Sequence, residues 1–315
     1  MTARTGRWVF AAVVLVFAAV FVRLGVWQLD RLEERQAEVA ERRARLARSP
    51  LRITSSEVER RLGIGPVADS APDGRASATA GPFPPADSAG WRRIEARGRF
   101  DYAREAVLSP RSWQGSPAVY VVTPLVVADS AAVPVIRGSV PAPDGLHAPL
   151  ARARPVWART DSAARGAVTG RRHGRAGDTV ADRRPVTRPG APVVAVHGHG
   201  YPPSGGEPVS EADTLHAAGG VHPVLPRMDL SRLDAIWPWR TAGFYLRADS
   251  TGERIPPSGD GLALPRPVPA PALDEGPHRM YAIQWFAFAA IALVGGGIWL
   301  WRREGENGGK GKKET

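Results

Sequence analysis

The chain has 315 residues, 43% of them hydrophobic, with 42 Lys+Arg against 31 Asp+Glu and a formal net charge of +11. It contains no cysteine, which excludes a disulfide scaffold, a thiolate metal centre, a redox CxxC pair and a cysteine nucleophile. Lys310, Lys312 and Lys313 are the lysines and the other 39 of these cations are arginines, scattered along the chain without a nucleic-acid-binding motif; no nucleic-acid partner is expected, whereas attraction to anionic lipid head groups fits the charge.

Trp8 to Val22 is an unbroken apolar run, WVFAAVVLVFAAVFV, and after Arg23 the apolar character continues through Leu24, Gly25, Val26 and Trp27. At 1.5 Å per residue, Trp8–Trp27 spans roughly 30 Å, the hydrocarbon thickness of a bilayer. Arg23 is near enough to one end to snorkel, and Trp27 suits the interfacial belt. The stretch 8–28 is therefore expected to be a first transmembrane helix behind a cytoplasmic N-terminus, residues 1–7. The competing reading is a cleaved signal peptide, against which the run is long and lacks a clean small-x-small site.

Residues 29–48 contain neither Gly nor Pro and carry Glu38/Arg42 and Glu41/Arg45 at i,i+4, so a helix leaving the membrane is expected, with a seam of Leu32, Val39 and Leu46. Residues 63–90 are rich in Gly, Pro, Ala and Ser and read as a linker or mobile loop. Strand patterning follows at 92–100, 106–110, 118–127 and 132–137, with turn chemistry at 109–115. Residues 141–190, rich in Pro, Ala and Arg, show no period and read as an exposed insertion. Further strands are expected at 192–197 and 243–248, a helical turn at 231–236, and a Pro-rich tether over 255–277. The expected domain, 29–280, is one mostly β, antiparallel unit.

Tyr281–Trp301, YAIQWFAFAAIALVGGGIWLW, is the second expected transmembrane helix. Arg302, Arg303, Lys310, Lys312 and Lys313 follow it in the tail 302–315, and Arg4 and Arg7 precede the first span. Positive charge stays in the cytoplasm, so both termini are expected inside and the central domain outside, in a bacterial-type inner membrane.

For chemistry, the sequence holds no GxSxG, P-loop, HExxH or helix-opening GxGxxG, and no enzyme is expected. His197 and His199 sit two apart on one strand face, with His216 and His222 nearby; imidazoles can hold copper or zinc, and exposed histidines in a Gly-rich strand end are the plainer explanation, so no metal site is assigned. Arg137-Gly138 closes a strand, and a buried arginine there would need a carboxylate partner. His278 lies three residues before the second span. On a helix it shares a face with Tyr281 and Trp285, which suits either interfacial anchoring or haem ligation by a neutral imidazole. Gln284-Trp285 enters the membrane where Trp27-Gln28 leaves it, and a glutamine at that depth seeks a partner on the other helix.

Taken in order, several segments carry a family pattern: Leu24-Gly25-Val26-Trp27-Gln28-Leu29-Asp30-Arg31; Gly98-Arg99-Phe100; Arg111-Ser112-Trp113-Gln114-Gly115 leading into Val121-Val122-Thr123-Pro124-Leu125; Val133-Pro134-Val135-Ile136-Arg137-Gly138-Ser139-Val140-Pro141; and His278-Arg279-Met280-Tyr281-Ala282-Ile283-Gln284-Trp285-Phe286. With two spans bracketing an outside domain, the chain resembles the surfeit-locus protein 1 family of cytochrome c oxidase assembly factors. The likeness covers both ends and about 91–141, fades through 141–190, and keeps only positions such as Gly198 and Asp229 in 191–247. Ser139 stands where the family usually has a bulky aromatic, and a lysine common after the first motif is missing. The resemblance implies a non-enzymatic chaperone that handles haem a transiently and works with the catalytic subunit of a haem-copper oxidase and the haem a synthesis machinery. It makes His278 the candidate haem contact, with Tyr281, Gln284 and Trp285 shaping the site. Trp27, Gln28 and Arg31 would support it from the other helix, and Pro124, Arg137 and Gly138 would be structural. The alternative is a membrane-tethered β scaffold that binds protein partners without a cofactor.

Overall fold

A computed structural model describes residues 3–62, 81–143, 148–158, 191–203, 213–217, 220–253, 255 and 263–310. In chain order the elements are α1 (Ala3–Ala47), β1 (Leu51–Ile53), α2 (Ser55–Arg61), α3 (Ala86–Ala89), β2 (Arg93–Phe100), β3 (Ala106–Trp113), β4 (Ser116–Ala128), β5 (Ala131–Pro141), β6 (Val194–Tyr201), β7 (Asp213–Ala217), β8 (Gly220–Leu225), α4 (Leu230–Ile236), β9 (Arg240–Thr241), β10 (Tyr245–Ser250) and α5 (His278–Lys310). They form two compact units: Met1–Ala44 with Pro271–Thr315, and Arg45–Ala270.

The first unit is an antiparallel helix pair. Both helices are long and apolar enough to cross a membrane. α1 has 45 residues, about 68 Å at the α-helical rise, so it continues well past a bilayer's hydrocarbon and includes the helix expected over 29–48. Its seam residues Leu32 and Val39 are buried. Contacts between the helices run in opposite numerical order. Phe10 meets Trp299 with ring centroids 4.1 Å apart, and Phe21 meets Trp285 at 5.9 Å and Phe288 at 5.8 Å. Val14 abuts Gly296, and Gly25 abuts the Phe286 ring. Beyond the apolar part, residues 273–275 lie along α1: Arg43 donates to the Leu273 carbonyl (3.1 Å), Arg35 to the Asp274 carbonyl (3.3 Å) and Gln36 to the Glu275 carboxylate (2.9 Å).

The second unit is a closed barrel with extensions. β2, β6, β10, β5 and β4 pair in that sequence, and β4 returns to β2 through Arg99↔Val126 and Phe100↔Leu125. Closure needs Gly98, where a Cβ would stand 2.4 Å from the Val126 carbonyl oxygen. β3, β8 and β7 extend the sheet beyond β4, and β1 extends it beyond β2. The barrel interior is filled by Ile94, Ala96, Phe100, Leu125, Val133, Val135, Val196, Phe244 and Leu246, among others. On the other face of β3, β4 and β5, α4 and its flanks bury Met228, Leu233, Trp237 and Trp239.

Several expectations change. The sheet is mixed, not antiparallel: β10 is parallel to β5, β1 to β2, β8 to β3 and β9 to β5. Parallel neighbours need long crossovers, and three of these four pairings join residues more than a hundred positions apart, such as Val107 and Val224, beyond the reach of local pattern. Within the stretch expected to be a linker, Phe83 and Ala89 are buried and α3 forms; residues 63–80 are outside the described set. Within the expected insertion, a 3-10 turn at Leu150–Ala153 packs Leu150 and Ala153 into the core; residues 144–147 and 159–190 are outside the described set. The strand at 132–137 does not stop at Gly138 but runs to Pro141. The expected tether also has a seat: Ser139 and Arg266 exchange backbone hydrogen bonds (2.7 and 2.8 Å), Val268 is buried, and Arg247 donates to the Pro269 carbonyl (2.8 Å).

Candidate functional site

In the barrel unit the Arg137-Gly138 motif acquires a physical meaning. β5 turns Arg137 inward, where its side chain is fully buried and its guanidinium lies over the rings of Tyr102 (4.9 Å) and Phe100 (5.7 Å). Nη2 donates to Glu105 Oε1 (2.5 Å), Nε to the Thr123 hydroxyl (2.8 Å) and Nη1 to the Ala153 carbonyl (2.7 Å). The next residue, Gly138, lets the tether pass: a Cβ there would meet the Arg266 carbonyl oxygen at 2.5 Å. Ser139, where the resemblance expects a large aromatic, is buried and bonds the same tether. Pro124 sits opposite Pro134 in the β4–β5 ladder, and its carbonyl accepts from the Asp101 amide (3.1 Å).

Glu105 is the hub of this network. Oε1 also accepts from Thr123 (2.8 Å), and Oε2 accepts from Arg154 Nε (2.7 Å). Its backbone carbonyl accepts from His222 Nδ1 (3.2 Å), which leaves His222 Nε2 facing Arg154 Nη2 at 3.5 Å. Burial alone would raise the Glu105 carboxyl; the positive charges of Arg154 and then Arg137 outweigh it and hold it below the usual range. Burial lowers the His222 imidazole, Glu105 opposing and Arg154 assisting, so the ring is neutral. Glu253 Oε2 lies 3.6 Å from Arg137 Nη1, beyond hydrogen-bond reach, and burial pushes this carboxyl up to about 8. The guanidinium is already engaged by Glu105, so burial dominates at Glu253. The sequence asks for a carboxylate partner for Arg137; it offers no means of choosing Glu105 or of adding Arg154, which lies in the stretch expected to be structureless.

The histidine cluster dissolves. His197 is exposed on β6, His199 pairs with Asp249 (3.2 Å), and His222 is buried in the network; the His216 side chain is outside the described set. Among the described residues, no group of three or more His, Asp or Glu side chains is placed to hold a metal ion.

In the helix pair, the structure brings together part of the expected constellation. His278 opens α5, and its Nδ1 is 2.9 Å from Gln28 Oε1 on α1. An amide oxygen only accepts, so in a neutral ring this contact requires the proton on Nδ1 and leaves the lone pair on Nε2. Gly276 has φ +70°, and a Cβ built on it would lie 3.5 Å from Nε2. A Cβ there would make ordinary van der Waals contact with the ring edge, and the left-handed backbone is what selects glycine at this position. Trp285 stacks on Phe21 and meets Phe288 edge-on at 5.9 Å. Tyr281 and Gln284 are exposed, and the helix's partner glutamine is Gln28, not Gln284. Trp27 and Arg31 contact each other (5.8 Å) and are exposed. The α1 contact face runs through Phe21, Gly25 and Gln28; Trp27, two positions past Gly25, lies about 200° round the helix. Neither Trp27 nor Arg31 joins His278.

This combination of a one-nitrogen imidazole, an aromatic wall and two apolar helices is chemically suited to a flat, apolar, metal-centred ligand. A family model described as the SURF1 family matches residues 15–290 of the chain. No curated protein matches it.

Proposed function

Because the chain belongs to the SURF1 family, which is associated with cytochrome c oxidase assembly rather than catalysis, we propose that it presents haem a to the immature catalytic subunit of a haem-copper oxidase. The observation that carries the reading is the His278 imidazole. Its Nδ1 meets Gln28 Oε1 at 2.9 Å, which makes Nε2 the nitrogen available to a ligand. A neutral imidazole with its second nitrogen hydrogen-bonded is the form that ligates haem iron. Trp285 and Phe288 offer ring faces below it, and the surrounding helix surface is apolar, as the hydrocarbon tail of haem a requires. In this reading Tyr281 and Gln284, both exposed on the same helix, contact the cargo from the lipid side. Haem held through His278 at one helix end would be shallowly seated, which suits a carrier that passes its cargo on.

The same reading places the protein in a bacterial-type inner membrane with both termini cytoplasmic and the barrel outside. Its support is the charge flanking the spans, Arg4 and Arg7 at one end and Arg302 and Arg303 at the other. Its partners are then the catalytic subunit, the haem a synthesis machinery and membrane lipid.

The test is co-expression with haem a synthesis, purification in detergent and a visible spectrum beside His278→Ala. A haem a spectrum lost in the variant is the expected result. Haem retained in His278→Ala removes the ligand assignment. A wild type without haem, even under rapid trapping, favours a protein scaffold without a cofactor.

A further inference from the structure

We infer that Gln28 is a positioning residue that fixes the tautomer of His278, and so decides which imidazole nitrogen faces a ligand. The inference takes its purpose from the haem reading above but rests on geometry of its own.

His278 Nδ1 and Gln28 Oε1 are 2.9 Å apart across the helix pair. The two ring nitrogens of a neutral imidazole are not equivalent, and the hydrogen bond made by one sets the role of the other. Without an acceptor at Nδ1, the proton is free to sit on Nε2, the nitrogen that free histidine favours. Nε2 would then be a donor with no lone pair to offer. With Gln28 accepting, Nε2 is an acceptor. Gln28 and His278 are each half-buried, Gln28 on the α1 face that meets α5. Trp285 stacked on Phe21 one and a half to two turns deeper fixes the two helices against rotation at this level. The outcome is a directional site: one proton and one lone pair, each on a set nitrogen. A glutamine suits this task because its amide oxygen is neutral. A carboxylate would also accept from Nδ1, while placing a charge near the hydrocarbon.

The experiment uses the full-length chain, labelled with 15N-histidine, in detergent and without haem. Long-range 15N–1H correlation reads the tautomer, and His278→Ala identifies the signal among the seven histidines. The wild type is expected to show Nδ1–H at His278. Gln28→Leu is expected to lose it, and Gln28→Glu to keep it. Should Gln28→Leu fail to fold, Gln28→Asn, one methylene short of the ring, serves in its place. The same four proteins are then titrated with haemin. Affinity is expected to fall by about ten- to a hundredfold in Gln28→Leu, as for other partners of a ligating histidine, and to recover in Gln28→Glu. A wild type with Nε2–H, or a Gln28→Leu protein that keeps the wild-type tautomer, overturns the inference. A tautomer that responds as stated in a wild type that takes up no haemin leaves the role of Gln28 standing and sinks the haem reading.

Discussion

The barrel unit and the helix pair handle polar groups in opposite ways. The barrel buries Glu105, Arg137, Arg154, Thr123 and His222 together, and both carboxylate oxygens of Glu105 are occupied by donors. The helix pair meets through rings, glycines and alanines, and His278 bonds Gln28 at one end of this apolar contact. Around Glu105 the network is saturated and rigid, with both carboxylate oxygens already used, and at its edge Glu253 Oε2 is left without a hydrogen bond among the described residues. The sparse contact of the helix pair leaves a lone pair over. The larger cluster of titratable groups is therefore the structural one, and the smaller contact is where chemistry is available.

The comparison breaks most severely at Arg137. Arg137→Leu leaves Glu105 with one guanidinium fewer in a dry site, and losing one partner of a buried pair costs about 3–5 kcal/mol. Denaturant unfolding of the full chain in detergent is expected to show that loss, with the haem-related readouts of the helix pair unchanged in whatever fraction remains folded. A loss below about 1 kcal/mol would place Arg137 among ordinary surface ion pairs and end the claim that the network holds the barrel.

Gly138→Ala comes next. Its Cβ would stand 2.5 Å from the Arg266 carbonyl oxygen, a backbone atom that cannot swing aside as a side chain does. The tether must lift, at a cost of about 1–3 kcal/mol. Amide exchange at Ser139 and Arg266, which bond each other, reads this directly: both are expected to lose protection while β2 and β6 keep theirs. Unchanged protection at Ser139 would mean that the tether is not what the glycine accommodates.

The pH dependence separates the members of the network. Glu105 is held low, so its contribution is complete above the ordinary carboxylate range and is lost as pH falls through its depressed folded value. His222 is also depressed: its neutral form contributes fully above about 6.5, and stability falls as pH drops from there toward its folded value. Glu253 is raised to about 8, so it has the opposite sign; its contribution is complete below the ordinary glutamate value of 4.5 and is lost as pH rises through about 8. Glu253→Gln is expected to flatten the alkaline side of the stability profile between those limits, where each pH step of one is worth roughly 1.4 kcal/mol, and to leave the acid side intact. An unchanged alkaline limb would show that Glu253 ionises normally beside Arg137.

What is legible in the sequence follows from the same contrast. The helices announce themselves locally: an apolar run, flanking charges and the sevenfold spacing of Leu32 and Val39 need no partner to be read. β4 and β5 are likewise visible in AVYVVTPLVV and AVPVIR. The barrel's order is not, because Leu246 beside Val135 and Gly98 against Val126 are decided by closure of the whole sheet. Arg154 reads as one arginine in a Pro/Ala/Arg-rich stretch, and only the fold shows it on Glu105. At the candidate site the sequence offers both glutamines and both helices; helix register makes Gln28 the partner of His278 and turns Trp27 and Arg31 away.

That last point gives the smallest and sharpest prediction. Arg31 pairs with Glu34 at 2.7 Å, and both side chains are more than half exposed, at 53% and 64%. An exposed pair at this spacing contributes about 0.5 kcal/mol or less. Arg31→Ala is therefore expected to leave the unfolding midpoint and the His278 tautomer as they are in the wild type. Gly25→Leu, which drives a side chain into the Phe286 ring, is expected to disturb both. If Arg31→Ala instead changed the tautomer, the α1 face carrying Trp27 and Arg31 would be coupled to His278 after all. The contact face through Phe21, Gly25 and Gln28 would then be an incomplete account of how the helices hold the site.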